Sequence, residues 1–108
     1  MQKKFRLRKN YDFQRIINLE KKKYNDTFVV YYDDNQEGHL RLGITISKKN
    51  ANAVLRNRVK RQVKSMLQKY LFLNKNQDII IFIRKKYLYQ TFLENEKKIN
   101  ELLKKIIL

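Results

Sequence analysis

His39 is the only histidine in the 108-residue sequence, and there is no cysteine. Neither a catalytic triad nor a thiolate metal site can therefore be assembled. A protein-borne hydrolase needs a nucleophile beside a base, paired carboxylates, or metal ligands at workable spacing. The nearest approach to a ligand cluster is Asp33, Asp34 and Glu37, which could hold a hard cation. They fall, however, within Asp33-Asp34-Asn35-Gln36-Glu37-Gly38, whose composition is that of a solvated hairpin turn. His39 follows on the polar side of a strand and is expected to have an ordinary surface role. We expect no catalytic residue and no metal site in the protein itself.

Phosphate binding is the chemistry the residue types do support. Residues 38–77 contain no Asp or Glu, yet Arg41, Lys48, Lys49, Arg56, Arg58, Lys60, Arg61, Lys64, Lys69 and Lys75 all lie there. On a helical wheel Asn57, Lys60, Arg61 and Lys64 cluster opposite an apolar stripe, with Arg56 and Arg58 flanking them. A merely solvated charged face usually mixes signs into i,i+4 pairs, and here no partner charges exist. The pattern points to a phosphate backbone. A planar guanidinium suits bidentate phosphate contact, and Asn57 can both donate and accept. The aromatic and apolar residues Phe13, Ile17, Tyr31 and Tyr32 leave two readings open: core, or an exposed platform on which an unpaired base stacks.

The elements that carry these residues follow from periodicity. Asn10 is expected to cap a short helix with Phe13, Ile16 and Ile17 on one face. The β-branched and aromatic run at residues 27–32 reads as a strand, reversed by the turn at 33–38. Over residues 39–47, Leu40, Leu42, Ile44 and Ile46 alternate with His39, Arg41, Gly43, Thr45 and Ser47, a strand with one buried face. From Asn52 to about Leu71 the period becomes helical, with Leu55, Val59, Val63, Met66, Leu67 and Tyr70 in a stripe roughly 120° wide. Residues 78–84 contain the unbroken run Ile79-Ile80-Ile81-Phe82-Ile83, as in a strand buried on both sides. Thr91 and Glu94 form a possible capping box for a last helix with Phe92, Ile99, Leu102, Leu103 and Ile106 on its apolar face. A further short strand near the start is also open. The order describes an α+β two-layer sandwich with helices on one face of a small sheet and the other face open.

Composition agrees with one domain over residues 1–108. Lys and Arg number 26 against 10 acidic residues, a formal charge of +16, which self-repels unless an anionic partner offsets it. At 43% hydrophobic and 12% aromatic, the chain is nonetheless too apolar for a disordered basic tail. No stretch approaches the roughly 18 apolar residues of a membrane span, and no apolar run follows the charged start. A soluble cytoplasmic protein with no membrane partner is expected, and the lack of cysteine suits a reducing compartment.

Two segments carry a resemblance. Leu40-Arg41-Leu42-Gly43-Ile44-Thr45-Ile46-Ser47-Lys48-Lys49 and Asn52-Ala53-Val54-Leu55-Arg56-Asn57-Arg58-Val59-Lys60-Arg61 are similar to the signature of the bacterial ribonuclease P protein component family. Arg6-Leu7 with Asp12-Phe13 resembles the family's first helix, Phe28-Val29-Val30-Tyr31 its next strand and residues 78–84 its last. The resemblance implies an α-β-β-β-α-β-α order with a small mixed sheet and a left-handed βαβ crossover, against the usual hand. It implies a protein subunit of an endoribonuclease that removes the 5′ leader of precursor tRNA, with cutting done by magnesium ions held mainly in a catalytic RNA subunit. It further implies that Arg41, Lys48, Lys49, Arg58 and Arg61 face that RNA subunit. Phe13, Ile17, Tyr31, Thr45, Arg56, Asn57, Lys60 and Lys64 would line a cleft for the leader. Three positions depart from the pattern: Ile17 where a second aromatic is frequent, Ala51 where Gly is frequent, and Lys64 where Arg is common. Ile17 keeps apolar contact but cannot stack. A glycine is required in place of Ala51 only if φ there is positive.

Other functions share parts of this pattern. A non-enzymatic RNA binder such as a small ribosomal protein has the same charge, size and fold class, and only the motif separates the two. A membrane-surface role is disfavoured because the basic helix lacks a Trp/Phe-rich apolar face. DNA is not an expected partner.

Overall fold

The uninterrupted apolar run at residues 79–83 finds cover on both faces, and that sets the architecture. The computed structural model describes residues 2–107. In chain order these form α1 (Asn10–Asn18), β1 (Lys22–Tyr24), β2 (Phe28–Asp34), β3 (Arg41–Ile46), α2 (Ala53–Leu67), β4 (Gln77–Ile83) and α3 (Phe92–Ile106), with one 3-10 turn before α1 and two more on either side of β4. The sheet order is β1-β2-β4-β3. β4 pairs antiparallel with β2 and parallel with β3. Ile79, Ile81 and Ile83 pack with Phe28, Val30, Leu42 and Ile46 of the neighbouring strands, beneath α2 and α3. Ile80 points the other way, onto Ile16 of α1 and Leu7. Each such fully buried side chain contributes about 1.5–3 kcal/mol.

The α+β order is thus α-β-β-β-α-β-α, including the short early strand. Four local expectations are corrected. Lys9, not Asn10, occupies the N-cap of α1, and no side chain caps that end. The segment at 33–38 is not a hairpin turn, because β4 lies between β2 and β3. Instead Asn35 ties the connection to β4's start: its backbone N–H donates to the Asn76 carbonyl at 2.9 Å and its side chain to Asp78 at 2.8 Å. α2 stops at Leu67 and tightens into a 3-10 turn, Gln68–Leu73, that ends at Asn74 with φ 51°. Asn tolerates that left-handed conformation better than most residues. Phe92, expected on the buried stripe of α3, is 42% exposed, because it stands in the first turn. Thr91 and Glu94 do form the reciprocal capping box. The second sheet face is not left open either: α1 covers part of it.

Candidate nucleic-acid interface

α2 is amphipathic in the way its sequence requires. The Asn52 side chain accepts from the Leu55 N–H at 2.9 Å and starts the helix. Val59, Val63, Met66 and Leu67 are buried, which leaves Asn57, Arg58 and Arg61 exposed. Arg56, Lys60 and Lys64, four residues apart, form a half-buried row along one flank. The other flank meets α3: Leu55, Arg58 and Gln62 line a groove with Phe92 and Asn95, and Gln62 accepts from the Tyr87 hydroxyl at 2.8 Å. The Arg56–Lys60–Lys64 row therefore looks away from α3, where α2 rides over β3, the edge strand. Among the described residues, no carboxylate lies within 4.0 Å of Lys48, Lys49, Arg56, Arg58, Lys60, Arg61 or Lys64. Their charges remain available to an external anion.

The loop before α2 is closed by its own polar groups. Ser47 Oγ accepts from the Lys49 N–H at 3.1 Å, and Arg56 Nη1 donates to the Ala51 carbonyl at 2.9 Å. Ala51 is not among the positive-φ residues, so the position needs no glycine.

Arg41 differs from the other singled-out cations. Its Nε and Nη2 make a fork onto Asp78 Oδ1 and Oδ2, both at 2.8 Å, and hydrogen bonding to that carboxylate raises the Arg41 pKa further. Its side chain is only 22% exposed. This guanidinium holds β3 to β4 and lies on the α1 side of the sheet, away from the exposed face of α2.

A second surface lies on that α1 side. Tyr31, Thr45 and Phe82 are half-buried there, beside Phe13 and Ile17 of α1. Register explains the grouping: Val29 and Thr45 flank Phe82, and Tyr31 and Gly43 flank Ile80. Tyr31 and Phe82 meet edge to face at 5.6 Å, and Lys22 Nζ stands 5.5 Å from the Tyr31 ring centre. Phe13 lies on the bare backbone of Gly43. The proposed cleft residues therefore divide. Phe13, Ile17, Tyr31 and Thr45 share one face, while Arg56, Asn57, Lys60 and Lys64 stand on the helix of the opposite layer, with the edge strand β3 between. Phe82 and Gly43 belong to the first group and were passed over in the sequence. The alternation of Ile80 and Phe82 within β4 was the available signal for Phe82.

The fold and these two surfaces define a class: a small basic α+β protein with a cationic helix that carries no internal ion pairs and a partly covered aromatic sheet face. The chain matches the family described as Ribonuclease P over residues 1–107 and belongs to it, as a protein component. It is 41% identical to the ribonuclease P protein component of Mycoplasma capricolum, covering 98% of this chain and 99% of that one. With the protein component of Mesoplasma florum it shares 38% identity over 94% of each. The solved structure of the Staphylococcus aureus RNase P protein superposes with a TM-score of 0.85 at 39% identity, covering 93% of both chains. That of Thermotoga maritima gives 0.82 at 31% identity, covering 93% of this chain and 96% of that one. A protein of this family is a subunit of the endoribonuclease that processes tRNA.

Proposed function

We propose that the chain binds the catalytic RNA subunit of ribonuclease P through the exposed cations of α2 and its preceding loop, and receives the 5′ leader of precursor tRNA on the aromatic sheet face. The observation that carries this reading is the separation of the two surfaces. One is cationic without internal ion pairs and suits a structured phosphate backbone. The other is half-buried, aromatic and flanked by cations, which suits an unpaired strand whose bases can stack.

Catalysis resides in the RNA. The carboxylates that do converge here, Asp12, Asp33 and Asp78, are engaged by Arg15 and Arg41. Among the described residues, no group of three His, Cys, Asp or Glu side chains could hold a metal ion. Guanidinium groups already occupy these three carboxylates, so the cluster does not suit magnesium, and we assign that ion to the RNA subunit. Among the described residues, no helix is long and apolar enough to cross a membrane. We place the protein in the cytoplasm, where its RNA partners are made.

Reconstitution with the catalytic RNA subunit tests the proposal. The protein alone should leave precursor tRNA uncut, and adding it to the RNA subunit should raise leader release at low magnesium. Cleavage by nuclease-clean protein without RNA, or no stimulation, overturns the reading.

A further inference from the structure

Asp78 is a carboxylate with none of its side chain exposed, at the start of β4. It accepts four hydrogen bonds from three segments. Oδ1 takes the Arg41 Nε and the Asn35 Nδ2, both at 2.8 Å. Oδ2 takes the Arg41 Nη2 at 2.8 Å and the Arg15 Nη2 at 3.0 Å. Burial alone would push this carboxyl up, but the donors from Arg41, Asn35 and Arg15 hold it below its ordinary value. Arg15 also donates from Nη1 to Asp33 Oδ2 at 2.7 Å, so one guanidinium from α1 bridges β2 and β4.

The strands do not depend on this cluster for their pairing, since β4 is laddered to β2 over seven residues and to β3 over six. α1 has no ladder. It rests on the sheet through Ile16 against Ile80, through Phe13 against Gly43, and through Arg15. Hydrophobic contact is non-directional and would let a nine-residue helix roll or slide. A planar fork between two carboxylates fixes both rotation and height.

We propose that Arg15 and Asp78 are a positioning pair for the leader cleft. Their tether sets how α1 stands over the sheet, and hence the gap between Phe13, Ile17 and Tyr31 that an RNA strand meets. The pair acts at a distance: Asp78 lies four residues along β4 from Phe82, about 13 Å at the strand rise. The inference rests on the cleft reading above.

The test uses Arg15→Met, which keeps the aliphatic stem and leaves Asp78 with three of its four donors. Asp78→Ala would instead take the buried counter-charge from both Arg41 and Arg15 and endanger the fold. Binding of leader-bearing and leaderless tRNA is measured with the reconstituted holoenzyme. Because the chain has no cysteine, Gln14→Cys with Ser65→Cys gives two unique sites for spin labels that report the position of α1 relative to α2. Arg15→Met should lower leader preference about fivefold or more, the smaller end of what one stacked base contributes. It should broaden the label distance and leave assembly with the RNA subunit and the salt slope of leader binding unchanged. Arg15→Lys, which keeps the charge without the fork, should restore the preference only in part.

An unchanged distance distribution with unchanged preference overturns the tether. Lost preference with an unchanged distance and a log–log salt slope shallower by about 0.7 would mean that Arg15 touches phosphate itself, and this too overturns it. If Phe13→Ala and Tyr31→Ala retain full leader preference, the cleft reading has failed and the tether falls with it.

Discussion

The ring of Phe13 lies on the backbone of Gly43 so closely that a β-carbon there would stand 2.6 Å from Cζ and 3.0 Å from Cε1. Gly43 is not a turn residue and has no positive φ. Its requirement is space: the missing side chain lets an aromatic from α1 lie against the edge strand β3, on a sheet face that RNA is proposed to occupy.

Gly43→Ala should therefore destabilise the protein by about 1–3 kcal/mol through overpacking, although alanine costs a strand less conformational entropy than glycine. Removing the ring as well should relieve the clash. In urea titrations the double variant Gly43→Ala with Phe13→Ala should be more stable than the sum of the two single effects, with a coupling of about 0.5–3 kcal/mol. Simple additivity would show that the ring moves aside without cost.

Tyr31→Ala, and to a lesser degree Phe13→Ala, should weaken holoenzyme binding to precursor tRNA and leave mature tRNA binding nearly unchanged. Base–aromatic stacking contributes about 1–3 kcal/mol per base, or roughly five- to 150-fold in affinity. Both side chains are half-buried against their neighbours, so melting temperatures must accompany the binding assays. A core role predicts instead a stability loss of about 3–5 kcal/mol and equal weakening toward both tRNAs.

Arg58→Ala with Arg61→Ala should weaken assembly with the RNA subunit, and the effect should shrink as salt rises. Each lost phosphate contact removes roughly 0.7 to 0.9 from the log–log salt slope. Both side chains are exposed and without internal ion pairs, so the circular dichroism of the double variant should match the parent. An unchanged slope would remove this face from the interface.

Asp78 should shape the acid limb of stability. Its folded-state pKa lies below the ordinary value of 3.8, so the native state gives up this proton before the unfolded state does. The stabilisation is complete above 3.8 and is lost as pH falls through the lower folded value. Asp78→Asn should flatten that part of the profile. At neutral pH it should cost about 3–5 kcal/mol, because Arg41 and Arg15 lose a buried counter-charge. Urea midpoints measured between neutral and strongly acidic pH decide it.

Local pattern was enough for much of this molecule. The helical period of α2, the Thr91–Glu94 capping box, the alternation in β3 and the two-sided burial of β4 are each written within a few turns or strand residues, because periodicity records which side of an element meets the core. The acid-free stretch that supplies the cations of α2 was legible for the same reason, since no nearby carboxylate could pair with them. What sequence could not assign was which distant residue each side chain meets. Arg41 looked like the other cations, yet it is engaged by a carboxylate 37 positions away, and Arg15 by the same group 63 positions away. The hairpin expected at 33–38 gave way because β4 inserts between β2 and β3. Gly43 and Phe82 became parts of a surface only when that strand order brought them beside Phe13 and Tyr31. Hydrophobic patterning is non-directional: it states that a face must be covered, and only the assembled sheet, with its hydrogen-bond register, decides by what.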